Sequence, residues 1–462
     1  MMHSNPAHSK RKMLAPERLW LLGWEKAALW GLFVLLLLFG AIVENRSAFL
    51  RRRMTDADCY FRAAWAVRTG IDIYSVSETN GWHYTYAPLL AIALVPLASP
   101  PPGADEAGML PYRVSVAIWY ALSVGCLWLA VNWLAGALGR AAPERWTFPR
   151  GSRVWWAIRV VPILLCLMAV GRTLSRGQAN MILLLLFCGM IALLLENRRF
   201  LAGLCLAGPI CIKVFPAFLI VHAIVRRDFR FLAGVGTGLL IGLVLVPLAV
   251  MGPERTAAAY RRFDEVVLRP GLRIGPETTQ RMELTNAADS QAFMALLRNY
   301  RFPARSTRPQ EIDAPSRAAG WAVGALLAGA TLAVGMRSRQ SDPISAILFL
   351  GTLIVIMLPI SPACHVHYFV FALPLVLALV ADAWERHSFL HLGSGLTTLM
   401  ALTIAVDISA SLPVTNHWLM DFGLPLYATL ALWVAGIVIL RKRASEGPGG
   451  DYEVGRAAIT SA

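Results

Sequence analysis

Leu32-Phe33-Val34-Leu35-Leu36-Leu37-Leu38-Phe39-Gly40-Ala41-Ile42-Val43 is a run without one polar side chain, inside a longer apolar stretch that begins near Trp24. A helix needs roughly 20 mostly apolar residues to cross a bilayer, and this stretch supplies them. Ile182–Leu195 reads the same way. Working outward, further spans are expected near 112–138, 154–171, 177–195, 230–251, 318–336, 343–359, 366–384, 390–412 and 422–440. The composition agrees: 57% of the 462 residues are hydrophobic and 15% charged. Soluble chains run at about 45–50% and about 25%. A soluble multidomain enzyme is excluded, and so is a disordered chain. The expected fold is all-α and polytopic, with about 10–12 membrane helices, some of them broken or re-entrant.

The formal charge of +15 is not a nucleic-acid signature. The basic residues stand in short clusters between apolar runs, as topology control by Lys and Arg requires. No basic patch carries interleaved exposed aromatics. The first apolar run is long enough to span and is followed by no small-residue cleavage site, so a cleaved signal is not expected. Of seven cysteines, Cys126, Cys166, Cys188, Cys205 and Cys211 lie in apolar runs and read as small core residues. Cys59 and Cys364 fall in polar segments, and a bridge between them stays open.

Two apolar pieces do not fit a simple count. Tyr86–Ala98 gives about 20 Å of helix, too short to cross alone. Phe200–Val225 is long enough, but Lys213 stands at its middle and Pro216 follows. Basic residues flank it on both sides, Arg198-Arg199 and Arg226-Arg227. If both clusters are cytoplasmic, the segment enters and returns as two half-helices, an arrangement tolerated where it is shielded from lipid. One full span with Lys213 facing a neighbouring helix is the alternative. The re-entrant reading gives ten full spans, both termini inside, and outer segments at 44–85, 172–180, 252–317, 360–367 and 413–421. Arg51-Arg52-Arg53 would then lie outside, against the charge rule.

The outer side gathers the polar residues. Asp56 and Asp58 precede an amphipathic stretch, Tyr60–Arg68, suited to lie along the interface. Either acid could act as a general base or simply cap that helix. Arg172, Arg176, Gly177, Gln178 and Asn180 open one span, where guanidinium groups could hold a phosphate or be ordinary interfacial arginines. Ser361-Pro362-Ala363-Cys364-His365-Val366-His367-Tyr368 opens another. The His365/His367 pair lacks a third ligand at metal spacing, so hydrogen bonding is its expected role. A charge within the membrane, such as Lys213, is functional by default. Together these residues describe a site open to the outside and suited to a lipid phosphate.

The run Asp56-Ala57-Asp58-Cys59-Tyr60-Phe61-Arg62-Ala63-Ala64, with Gly70, Tyr74 and Tyr84-x-Tyr86-x-Pro88 after it, resembles the first outer loop of family 87 glycosyltransferases. Gly177-Gln178-Ala179-Asn180, Gly203, Ile212-Lys213-Val214-Phe215-Pro216, Ser361-Pro362 and His367 are similar to the family in the same order. Asn286–Arg298, with Ser290 and Gln291, is a looser match. The likeness spans roughly residues 20–440. The family pattern has Asp-Phe where this chain has Asp56-Ala57, and a Trp and double His where it has His365 and His367-Tyr368. The spacing to Tyr60 favours Asp56 over Asp58 as base.

The resemblance implies a GT-C fold like that of mycobacterial phosphatidylinositol mannoside mannosyltransferases. It implies transfer of a hexose, mannose first, from a polyprenyl-phosphate sugar to a lipid-linked or envelope glycan acceptor. The site would face the exterior of the cell membrane. Asp56 or Asp58 and His367 would be catalytic. Lys213, Arg176, Gln178, Asn180, Tyr86, His365 and Gln291 would bind donor phosphate or sugar. No cofactor is implied, and metal assistance stays open. Partners would be the donor, the acceptor and membrane lipids, without nucleic acid. One catalytic body at 24–441 is expected between tails 1–23 and 442–462. A transporter or flippase, or a non-catalytic partner in envelope assembly, is the rival reading; the former calls for repeat symmetry, which the sequence lacks.

Overall fold

A computed structural model describes residues 20–49, 55–77, 81–146, 148–269, 290–309, 311–338, 342–385 and 416–445. Among these the chain is helical, with two isolated β-bridges, Trp20–Ser152 and Ser77–His83. In chain order the helices are α1 (Gly23–Glu44), α2 (Thr55–Thr69), α3 (Pro88–Ala93), α4 (Tyr112–Ala141), α5 (Pro143–Trp146), α6 (Arg153–Leu165), α7 (Leu167–Arg176) and α8 (Asn180–Leu195). They continue as α9 (Arg199–Ile212), α10 (Ile220–Val225), α11 (Phe229–Leu239), α12 (Val246–Phe263), α13 (Phe293–Arg301) and α14 (Ala314–Arg337). The last are α15 (Pro343–Ile360), α16 (Leu373–Glu385), α17 (Asn416–Asp421) and α18 (Leu424–Ser445).

Among the described residues seven helical segments are long and apolar enough to cross a membrane, and an eighth if the bent pair α6–α7 is one span. The pair meets at 67° at Cys166, whose backbone (φ −102°, ψ 14°) leaves the helical region. α8 has 16 residues, about 24 Å of rise, and also runs from one end of the bundle to the other. Nine of the ten expected spans thus correspond to helices. The tenth, 390–412, lies outside the described residues, as do Arg51-Arg52-Arg53, Asn286 and most of both tails.

Side-chain contacts define the two ends. At the basic end, Arg153 pairs with Glu25 (2.6 Å), Arg140 with Glu196 (2.6 Å) and Arg199 with Asp228 (3.3 Å). Arg443 there binds Asp342, Asp382 and Glu385 at 2.6–2.9 Å. At the opposite end, Arg46 donates to the Ser175 carbonyl (2.6 Å), Arg255 to that of Val67 (2.7 Å) and Gln291 to that of Met420 (2.9 Å).

Phe200–Val225 returns to the end from which it starts. α9 stops at Lys213, a short 3-10 turn over Phe215–Leu219 follows, and α10 leads back to Arg226. Arg199 and Asp228 meet at its foot. There α9 and α11 touch backbone to backbone: a Cβ at Gly203 would collide with the Phe231 carbonyl, and one at Gly234 with the Phe200 carbonyl. Glycine permits this approach. The piece Tyr86–Ala98 is likewise a short dip, α3 plus a 3-10 turn at Val95–Leu97, and Ser99 donates back to the Phe61 carbonyl of α2 (3.1 Å).

One expectation needs correction, and one open alternative closes. Tyr60–Arg68 does not lie on a surface: α2 is buried on every side from Ala57 to Val67. Its small residues, Ala57, Ala63, Ala64 and Ala66, are fully covered, and a helix covered all round is a core helix. Cys59 and Cys364 are separate, buried thiols, so no bridge joins them.

The hairpin predicts a labelling pattern. Asn197→Cys and Arg230→Cys should react with a membrane-impermeant maleimide from one and the same side of the membrane. Reaction from opposite sides would mean that the segment crosses, and every later span would reverse direction.

Candidate active site

Asp56 and Asp58 both stand in the first turn of α2. Residues two apart on a helix point about 200° from one another, so the two carboxylates cannot serve one site. Asp58 turns inward, fully buried, 3.4 Å from Arg62 one turn later. Arg62 is buried too and donates to the Ser77 carbonyl. Asp56 faces the polar end, its side chain 26% exposed, with an Arg176 Nη1 at 4.0 Å.

Arg176 ends α7, and Gly177 stops that helix in the left-handed region (φ 65°), a conformation that favours glycine. The buried indole of Trp119 donates to the Gly177 carbonyl at 2.8 Å and fixes the turn. Gln178 and Asn180 follow, both buried. Lys213, at the tip of the hairpin, reaches them: its Nζ donates to Asn180 Oδ1 (2.8 Å) and Gln178 Oε1 (3.2 Å). The ammonium also lies 4.2 Å from the Tyr368 ring centre and 5.4 Å from that of Tyr86. Among the described residues no carboxylate lies within ion-pair distance of it. The cation is held by two neutral amides and two aromatic faces.

Tyr60 links the two halves. Its hydroxyl is 3.1 Å from both Gln178 Oε1 and the Tyr86 hydroxyl. Burial, followed by Tyr86 and Asp56, pushes the Tyr60 phenol well above its ordinary range. Burial, Tyr368 and Asp56 do the same to Tyr86. Both phenols therefore remain protonated donors at neutral pH.

The segment Ser361–Tyr368 closes the other side. The rings of His365 and His367 stack at 5.4 Å with 12° between planes. The His367 carbonyl accepts from Thr173 Oγ1 (3.1 Å) and Asn180 Nδ2 (3.2 Å). Its buried Nε2 has no hydrogen-bond partner among the described residues. Tyr368 stacks on Phe215 at 5.5 Å, so the hairpin tip and this segment are one packed unit. Gln291 binds the segment by its backbone: its N–H donates to the Cys364 carbonyl (2.6 Å), and its amide to the Met420 carbonyl (2.9 Å). It is fully buried and pins the segment.

Of the residues singled out in the sequence, Asp56, Tyr86, Arg176, Gln178, Asn180, Lys213, His365 and His367 gather at one end. Asp58 points into the core, and Gln291 holds the His segment. Tyr60 and Tyr368 stood in quoted motifs without a role, and geometry gives them one. Trp119 lies mid-helix in an apolar run and carried no signal; Thr173 stands between Arg172 and Arg176 in the polar outer segment and was passed over beside them. The clamp of Arg305 and Arg308 on Asp421 (2.5 and 2.9 Å) was also invisible, because its members are far apart in sequence. Among the described residues no group of three or more His, Cys, Asp or Glu is placed to hold a metal ion.

A bundle of membrane helices with an acid, amides, a buried lysine and aromatics at one end defines a multi-pass membrane protein with a polar site beside the membrane. Residues 84–362, more than half of the chain, match the model of glycosyltransferase family 87. The chain belongs to that family, and its activity is glycosyl transfer in place of transport or scaffolding. The match contains Gln178, Asn180, Lys213 and Gln291; Asp56 precedes it, and His365 and His367 follow it. No curated protein matches the sequence.

The two acids should separate in a stability measurement. Asp58→Asn leaves Arg62 without its buried partner and should cost about 3 kcal/mol, seen as a clear drop in melting temperature. Asp56→Asn should change it little. Equal effects would show that the two carboxylates do not differ in burial and pairing as described.

Proposed function

We propose that the protein transfers a hexose, with mannose as first choice, from a polyprenyl-phosphate sugar to a lipid-linked or envelope glycan acceptor, inverting the anomeric centre. The observation that carries this reading is Lys213, a cation buried at the hairpin tip and solvated only by neutral groups. A buried charge without a counter-ion is costly, and an anionic ligand would supply the missing charge. A donor phosphate beside Lys213, within reach of Arg176 and His367, fits the requirement. Tyr86, Gln178, Asn180 and His365 would orient the phosphate and sugar.

Asp56 would accept the proton of the acceptor hydroxyl as that oxygen attacks the anomeric carbon. The bond from that carbon to the phosphate oxygen breaks, and the departing lipid phosphate takes the electron pair. Fixed cations stabilise the charge growing on it, so no separate acid is needed. One partly buried acid at the site, with Asp58 committed to Arg62, suits a single displacement and thus inversion. The donor carries its own activation, so no nucleotide or other cofactor enters the scheme. The basic clusters at the opposite end favour that end as cytoplasmic, which would put the site on the outer face of the cell membrane.

Membranes incubated with radiolabelled polyprenyl-phosphate hexoses should yield a labelled lipid or glycan. Asp56→Asn should cut turnover by about 10²–10⁴-fold, the worth of a positioned base, with donor binding retained. Lys213→Met should weaken use of the donor while the protein stays folded. Unchanged turnover in Asp56→Asn would remove the base assignment; unchanged donor kinetics in Lys213→Met would remove the phosphate role.

A further inference from the structure

At the basic end, far from Asp56, a cavity of about 300 Å³ opens at the foot of the re-entrant hairpin. This is the lower end of the range for small-ligand sites, about 300–1,000 Å³. One wall is apolar, with Leu195 of α8 and Phe349 of α15; the other carries Arg199, His222, Arg226 and Asp228. Glycosyl transfer at the opposite end makes no use of it.

The charges in this wall do not cancel. Asp228 is committed: Oδ1 accepts from the Phe231 N–H (3.1 Å), capping α11, and Oδ2 from Arg199 (3.3 Å). Arg226 is half-buried, with its guanidinium 5.4 Å from the centre of the Phe349 ring. One Nη2 donates to the Gly335 carbonyl at 2.9 Å. Its Nε is buried and has no hydrogen-bond partner among the described residues. No carboxylate among them lies within ion-pair distance of it. The His222 ring stands 5.5 Å from the same Phe349 ring, on the cavity side. A guanidinium that lines a recess with no carboxylate beside it is arranged for an oxyanion.

We propose that this cavity is a phosphate-binding site, with Arg226 as its principal ligand and the apolar wall receiving whatever chain the phosphate bears. Basic recesses between membrane helices suit the headgroups of anionic lipids. Free inorganic phosphate offers the same chemistry without the apolar part. Arg226 ends α10, the returning arm of the hairpin whose tip carries Lys213, so an occupant would brace that arm where it leaves the bundle.

The test is thermal unfolding of the detergent-purified full chain, titrated separately with dihexanoyl phosphatidic acid and inorganic phosphate. Phosphatidic acid should raise the melting temperature saturably. Arg226→Gln should weaken the apparent affinity by about tenfold or more. Arg140→Gln, which removes an exposed arginine of the same end, should leave it unchanged, and so should Lys213→Met. If Arg226→Gln does not fold, Ala346→Phe, which fills the cavity without touching a charge, should abolish the shift. A matching Arg226-dependent shift with inorganic phosphate alone supports the site and assigns it to the free ion. No saturable shift with either probe overturns the proposal. So does equal loss in Arg140→Gln, or loss in Lys213→Met, which would place the binding elsewhere.

Discussion

Breaking a helix inside an apolar bundle strips backbone groups of their partners, and each one left unpaired in hydrocarbon costs several kcal/mol. The break at Lys213 meets that constraint locally. The Lys213 N–H still donates to the Pro209 carbonyl (2.7 Å), and the Ala217 N–H to that of Val214 (3.0 Å), so the turn is closed almost without loss. Pro209 within α9 and Pro216 in the following turn explain why the chain breaks here: proline supplies no donor and disfavours a helical residue before it. What remains is the ammonium, and Gln178, Asn180, Tyr86 and Tyr368 are collected around it. Tyr60 and the His segment are in turn held by those four residues. The polar end is thus organised from the lysine outward.

The opposite end solves a different problem. Arg443 draws Asp342, Asp382 and Glu385 together, and so ties the start of α15 and the ends of α16 and α18. Burial alone would raise the Asp342 carboxyl, but Arg443 and Ser345 hold it below its ordinary range, and it remains an anion that also caps α15. Carboxylates and arginines are closely matched in this cluster. At the polar end Arg305 and Arg308 clamp Asp421 in the same way, whereas Lys213 sits beside Asp56 with no carboxylate in ion-pair contact among the described residues.

Much of this was legible in the sequence because it rests on length and on residue type. Apolar runs of spanning length predicted nine of the helices. Basic clusters on both sides of Phe200–Val225 pointed to its return, as a lysine and a proline at its centre pointed to its break. The joint presence of Asp56, Gln178, Asn180, Lys213 and His367 at one end followed from topology alone. Burial did not follow. Tyr60–Arg68 reads as amphipathic because Arg62 and Arg68 interrupt it, yet Arg62 is neutralised by Asp58 inside the protein, and the helix is core. Pairings between distant segments, such as Trp119 with Gly177 or the Asp421 clamp, leave no periodic trace.

The pairing of Asp58 with Arg62 bears directly on how one acid comes to be available. Two carboxylates in one helical turn would repel each other if both faced the same polar end, and each would raise the other's proton affinity. Helical geometry turns one of them inward, where a cation one turn away, (i, i+4), neutralises it. That buried pair also anchors α2, since Arg62 reaches across to the Ser77 carbonyl and secures the segment beyond it. Asp56 is left beside Arg176 at the start of a helix that cannot rotate, because its circumference from Ala57 to Val67 is packed. The rigidity of that helix, built from alanines and one internal ion pair, is what fixes the distance from the exposed acid to Arg176, Tyr60 and, through Gln178, to the buried lysine.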